Sequence, residues 1–490
     1  MPCLEPRSVL YFQSFGAKRS PQVWEVLKNC RKRGRVALPA RQWRISRKQA
    51  LANLEEAMHR SRPLGRKSGT AALAALVLLG CAAPASAVKR RAFATSVSGT
   101  GDLSTWPDAT GATAFARADA ICRARAAAAT PTPLPNAATY RAWISTSATD
   151  AYCHVQGLSG KKATGCNGAV LPGAGPWFLA NGATNLSGTL DQLVDEGELY
   201  RPISRDENFD AIPTIDRFYW TGTDAAGVWT GVDCSGWADD TPGQFVGTVG
   251  DVYGIVGFWS LADEMACAGD HRLLCVEPGA GEVSRLGWSP AAVAFLTSAQ
   301  GKGDLGAWPQ AGSATGLGAG DAICRTLAAQ AFLPAPESYV AWLSSATPVV
   351  DAVDRLEITG PWKRIDAYTI ANDLTDLTDS TLDTSLHQFE NGTYLTEECA
   401  TTFACRTWTG TNADGTGAAA TCDDWTDALG GFQGMKGSAA DGPLTSIWSN
   451  FGTTSCNVSY RLYCLSNVIT VFWDGFELTG DTSRWSSAVP

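Results

Sequence analysis

The chain has 490 residues, 45% of them hydrophobic, with 50 Gly, 18 Trp and a formal net charge of −9. That length exceeds one ordinary core, and so much glycine and tryptophan argues against a long-helix bundle. Of the 39 basic and 48 acidic residues, 16 and 4 precede residue 88, leaving 23 against 44 beyond it, an acidic balance that repels nucleic acid and heparin-like polyanions.

Residues 1–57 carry 12 Lys or Arg against four Glu and read as a basic leader or a misplaced start. Residues 58–87 combine a basic stretch, an apolar run from Thr70 to Ala83 and the small-residue ending Ala85-Ser86-Ala87. This is the layout of a secretory signal, and its apolar run is too short to span a bilayer. The expectation is an exported protein, secreted or held at the cell surface or outer membrane. Leu78-Leu79-Gly80-Cys81 is similar to the box at which bacterial lipoproteins are lipidated, so Cys81 is a candidate anchor and the only expected membrane contact.

Beyond the leader, "GATAFARADAICRARAAAA" predicts a helix with Phe115, Ala118, Ile121 and Cys122 on one face. "YRAWIST" predicts a strand with Trp143 on its buried side. "CHVQGLSGKKATGC" follows as an insertion that places Cys153 and Cys166 in one short loop. A turn-rich middle carries "YWTGTDAAGVWTGVDCSGW", with Cys234, and the short apolar run "RLLCV" closes the stretch after Cys267 with Cys275.

After the Gly- and Pro-containing segment 278–292 the pattern returns. A helix around Cys324 precedes "YVAWLSS", then "TWTGTNADGTGAAATCDDW" with Cys422, and "RLYCL" with Cys464 after Cys456. Trp106, Trp143, Trp177, Trp220, Trp237 and Trp259 correspond in order to Trp308, Trp342, Trp362, Trp408, Trp425 and Trp448. A duplicated module explains this, at 92–277 and 293–466. Cys399 and Cys405 lie close together ahead of Trp408 and are expected to close their own loop, as are Cys153 and Cys166. Twelve cysteines behind a secretory signal, without C-x-x-C, argue for disulfides rather than metal ligands, though six per module leave 15 pairings open.

The helix with Cys, the strand with "AWLS", "WTGTNADG", C-x-x-W and "SCNVSYRLYC" together resemble the endostatin domain of certain collagens. They are also similar to secreted bacterial domains of that type, within the C-type lectin-like fold. The resemblance implies an α+β architecture of two tandem C-type lectin-like (endostatin-like) domains, loop-rich and disulfide-stapled. It also implies pairing of Cys122 with Cys275, Cys234 with Cys267, Cys324 with Cys464, and Cys422 with Cys456. The histidines of endostatin's zinc site and the arginines of its heparin site have no counterparts here, so neither activity is carried over.

Chemistry is sparse. His154, His271 and His387 are not duplicated, and no GxSxG, phosphate loop or HExxH occurs, so no catalytic residue and no enzyme is expected. Asp224, Asp239 and Asp240 in the first module, and Asp414, Asp423 and Asp424 in the second, crowd the loops as candidate ligand-binding residues. Calcium is their alternative use, although the Glu-Pro-Asn and Trp-Asn-Asp signatures of sugar-binding C-type lectins are missing; otherwise no cofactor or metal is expected. Most tryptophans stand at core-like positions, but Trp229 lacks a counterpart and is the candidate stacking platform.

The reading is a binding or adhesion protein for glycan or extracellular polymer. Its rivals are a structural envelope component and, last, a carboxylate-dependent glycan hydrolase. The tail 467–490, with "VFWDGFELTGDTSRW", looks like one that closes many Gram-negative secreted proteins.

Overall fold

Thr113 opens α1 (Ala114–Ala128) by accepting the Ala116 N–H on its hydroxyl at 3.2 Å, and alanine-rich sequence carries the helix onward. Ala118, Ile121 and Cys122 are buried as the periodicity requires, while Phe115 is half-buried. Its repeat, α2 (Gly316–Gln330), buries Ala319, Ile323, Cys324 and Leu327. The computed structural model describes residues 88–282, 286–396, 405–440 and 446–471, all within the unit Ser86–Pro490. The basic leader, the signal with Cys81, Cys399 and the tail beyond Val471 lie outside the described residues.

The chain is a mixed α and β protein with several sheets. Its first half contains β1 (Arg90–Ala94), β2 (Arg141–Ala142), β3 (Trp177–Leu179), β4 (Phe218–Trp220), β5 (Val246–Asp251), β6 (Asp263–Ala266) and β7 (Arg272–Val276). They form one sheet of order β3-β1-β7-β4-β5-β6, with β2 also on β7. The second half contains β8 (Ala292–Leu296), β9 (Tyr339–Ala341), β10 (Ser345–Ala346), β11 (Val349–Val350), β12 (Trp362–Lys363) and β13 (Thr369–Ala371). It continues with β14 (Arg406–Trp408), β15 (Gln433–Ser438), β16 (Thr453–Ser455) and β17 (Tyr463–Ser466). Here the order β13-β12-β8-β17-β9 repeats the first arrangement, and β14-β15-β16 form a separate sheet. The parallel junction of β4 with β7 survives in the second half as a single bridge, Thr407 to Arg461.

First and last strands of each half are antiparallel neighbours: Ala92 faces Val276 and Leu296 faces Tyr463. The helix is then bonded to the last strand through Cys122–Cys275 and Cys324–Cys464. Two buried clusters fill the space beneath the two helices, but a third runs through both halves and contains Trp177, Trp259, Trp362 and Trp448. The halves therefore share a core.

The predicted "YRAWIST" strand is shorter than its apolar run. Trp143 N–H still donates to Leu274 O at 2.8 Å, but Ser145 N–H donates to Thr221 O at 2.9 Å. The chain thus leaves β7 for the neighbouring backbone, with Trp143 buried as expected. Among the described residues no helix is long and apolar enough to cross a membrane.

Candidate functional site

The repeated C-x-x-W stretch folds in an unforeseen way. Cys234, Ser235, Gly236 and Trp237 have φ of 49°, 56°, 75° and 61°, and Cys422, Asp423, Asp424 and Trp425 have 52°, 54°, 53° and 69°. With Trp237 N–H donating to Asp233 O at 2.7 Å and Trp425 N–H to Thr421 O at 2.8 Å, each stretch is one turn of left-handed helix. Such a turn costs an L-residue roughly 1–2 kcal/mol. The surroundings hold it: Cys234 is bonded to Cys267, Cys422 to Cys456, and the indoles of Trp237 and Trp425 donate to Ser145 O and Ser344 O, each at 2.8 Å. Gly222 and Gly410 of the W-T-G-T motif adopt φ of 57° and 56°, and a Cβ there would lie 2.8 and 2.6 Å from those indoles. The motif and the turn are one packing unit.

The loop aspartates mostly serve their own loops. Asp224 accepts Val228 N–H at 2.8 Å, and burial raises its carboxyl above the usual range. Exposed Asp414 accepts the Thr416 hydroxyl and N–H, which lower its pKa. Asp424 accepts Ala346 N–H at 2.6 Å and Thr347 N–H at 3.0 Å, fastening the β10–β11 hairpin. Asp239 accepts Thr241 N–H at 2.7 Å and Asp240 the Thr100 hydroxyl at 3.3 Å, while the Asp423 side chain is exposed. Among the described residues no group of three or more His, Cys, Asp or Glu could hold a metal ion.

Trp229 is half-buried rather than an open platform. The insertion loop, closed by Cys153–Cys166, sets Lys161 Nζ 5.0 Å over its ring and Lys162 Nζ 4.8 Å over Tyr152. Buried Asp150 ties this arrangement together, accepting Lys161 Nζ at 3.0 Å, Lys162 N–H at 2.8 Å and Trp229 N–H at 3.1 Å. The two features peculiar to the first half, insertion and Trp229, thus cover each other.

The histidines are locally engaged. His154 Nε2 lies 2.9 Å from Asp119 Oδ1, and its ring stacks on Phe115 at 4.1 Å. Asp119 and Asp321 also accept the N–H of Ala142 and Ala341, both at 3.0 Å. In the second half Arg355 occupies the role of His154 beside Asp321. His271 packs against Trp220 at 4.6 Å, and burial lowers its pKa. His387 is fully buried, and burial followed by the Arg364 guanidinium pushes its pKa down to about 3.

His387 belongs to a cluster at the junction of the halves that the sequence did not reveal. Arg364, itself fully buried, donates to Asp366 Oδ2 at 2.7 Å and to His387 Nδ1 at 3.2 Å. Tyr394 adds a hydrogen bond to Asp366 at 2.6 Å, and Tyr200 of the first half stacks on Tyr368. Burial holds all three phenols well above their usual range, so they remain neutral.

Of the expected cysteine partners, the structure brings together Cys122 and Cys275, Cys153 and Cys166, Cys234 and Cys267, Cys324 and Cys464, and Cys422 and Cys456. Cys405 is also disulfide-bonded. No protein-family model matches the chain, and the curated proteins give no match to it.

Proposed function

We propose that this chain is an exported, non-enzymatic binding or adhesion protein, built from two endostatin-like modules of the C-type lectin-like type and recognising a glycan or extracellular polymer. The observation that carries the reading is the repetition of one disulfide-closed frame under divergent loops. Helix-to-strand bonds of sequence separation 153 and 140 and left-handed-turn bonds of 33 and 34 recur in the same order. The loops between them differ, as in the Lys161–Trp229 arrangement of the first half. A rigid frame that tolerates loop change is suited to recognition, and two copies on one chain can bind multivalently. At least five disulfides favour an oxidising compartment.

A second reading, a structural envelope component, draws support from the core shared by the halves. A carboxylate-dependent hydrolase is third, because Asp224 and Asp424 already accept backbone N–H groups. A glycan array probed with and without calcium separates these: binding supports the first reading, and uniform silence with recovery in envelope polymer supports the second. Cleavage of a labelled polysaccharide that Asp239→Asn abolishes would support the third. Mass spectrometry of the native N-terminus distinguishes a chain starting at Val88 from one lipidated at Cys81.

A further inference from the structure

The glycine-flanked sequence G-x-F-x-G occurs once in each half, as Gly243-Gln244-Phe245-Val246-Gly247 and Gly430-Gly431-Phe432-Gln433-Gly434. Both phenylalanines are exposed, at 39% and 48%, and each has an exposed apolar companion, Val246 or Leu429. A lone exposed apolar side chain needs no explanation. The same ring at the same place in two copies whose loops have otherwise diverged does.

The mounts are built alike. At the entrance of each loop an aspartate accepts the N–H two residues on: Asp239 from Thr241 at 2.7 Å, Asp427 from Leu429 at 3.0 Å. At the exit, the carbonyl of each phenylalanine accepts the N–H of the second cysteine of the local disulfide, Cys267 at 3.1 Å and Cys456 at 3.2 Å. Two residues later, a Cβ on Gly247 or Gly434 would lie 2.7 or 2.6 Å from the Sγ of Cys234 or Cys422. The strand therefore lies directly on the disulfide, and the backbone carrying each ring is anchored while the ring faces water. A pre-anchored aromatic loses little conformational entropy when it is covered.

We infer that Phe245 and Phe432, each with its Asp-led loop, are a duplicated docking point for a neutral polysaccharide. The inference rests on the polymer-binding reading above. An aromatic face covers the C–H face of a pyranose ring, and each aspartate spends one carboxylate oxygen on its turn, leaving the other to accept a sugar hydroxyl. Residues 238–247 and 426–434 contain three aspartates, Asp239, Asp240 and Asp427, and no Lys or Arg. Such loops oppose a polyanionic chain, and a repeating neutral polymer can engage both copies at once.

The test is retention of the full exported chain on insoluble cellulose, β-1,3-glucan, starch and chitin, with an anionic polymer as the contrasting arm. Wild type should be retained on at least one neutral polymer. Phe245→Ser or Phe432→Ser should each weaken retention about 10- to 100-fold through lost avidity, and the double variant should abolish it. Phe→Trp at both positions should preserve it, and Phe→Leu, which keeps the apolar bulk, should not. Unchanged thermal midpoints would show that the variants fold. Full retention of the double Phe→Ser variant overturns this inference and leaves the polymer-binding reading standing, as does retention on the anionic polymer alone. Wild type retained on no polymer overturns both.

Discussion

Tyr200 of the first half stacks on Tyr368 of the second, with ring centroids 4.7 Å apart and planes 20° from parallel. Tyr394 completes the contact at 6.2 Å from Tyr200. A ring held between two partners on the other half couples the stability of the halves. Tyr200→Ala should cost about 2–4 kcal/mol, in the range of large-to-small aromatic truncations. Calorimetry of the wild type should give one unfolding transition. Two well-separated wild-type transitions would contradict the shared core.

His387 makes that junction sensitive to acid. Its folded pKa of about 3 lies below the ordinary 6.5, so the unfolded chain takes up a proton that the folded chain refuses. Stability should therefore fall as pH drops from about 6.5 toward 3, by up to about 1.4 kcal/mol per pH unit from this group. Above 6.5 the contribution is flat. Denaturant titrations between pH 4 and 6.5 should show a shallower slope for His387→Gln than for wild type; equal slopes would refute the assignment.

The left-handed turns predict an unusual stabilisation. Ser235 is exposed at φ 56°, so Ser235→Gly relieves the backbone without removing a core contact. It should stabilise the protein by roughly 1 kcal/mol, whereas glycine substituted into an ordinary right-handed helix destabilises. A loss of stability on urea unfolding would mean that the serine side chain, not the backbone, governs this position.

The disulfides should rank by the chain they enclose. Replacing both cysteines of the Cys153–Cys166, Cys234–Cys267 or Cys122–Cys275 pair by alanine opens loops of separation 13, 33 and 153. Chain-entropy arithmetic gives losses of about 3, 4 and 5 kcal/mol respectively. Urea unfolding of the three variants checks the order, and its reversal would place the stabilisation in the folded state instead.

Much of the frame was legible because tryptophan and cysteine leave few alternatives once they recur in order. Helix α1 could be read from Ala118, Ile121 and Cys122, and β7 from an apolar run ending at the last cysteine. The left-handed turn was hidden, since Ser235-Gly236 and Asp423-Asp424 look like ordinary polar turn residues and the constraint comes from distant partners, the half-cystines Cys267 and Cys456 and the carbonyls of Ser145 and Ser344. The sequence points to Trp229 as a platform because its lack of a counterpart is visible there, whereas the lysines that cover it belong to an insertion whose path is not. The junction cluster of Tyr200, Arg364 and His387 has no periodic signature, as its members meet only after both halves fold. Phe245 and Phe432 did carry a signal, the repeated G-x-F-x-G, which composition obscures among 50 glycines.

The adjacency of first and last strands in each half has a mechanical consequence. Pulling on the N-terminal end of β1 and the C-terminal end of β7 would load their antiparallel hydrogen bonds one after another, so this seam peels rather than shearing as a unit. The covalent tie from helix to final strand then stops the peeling, because the chain between Cys122 and Cys275, or Cys324 and Cys464, cannot lengthen. Between the halves only the stretch from Cys275 to Cys324 can pay out, on the order of 160 Å at full extension. A chain held at one end and loaded at the other would thus act as a tether with a fixed limit, giving way early and then holding.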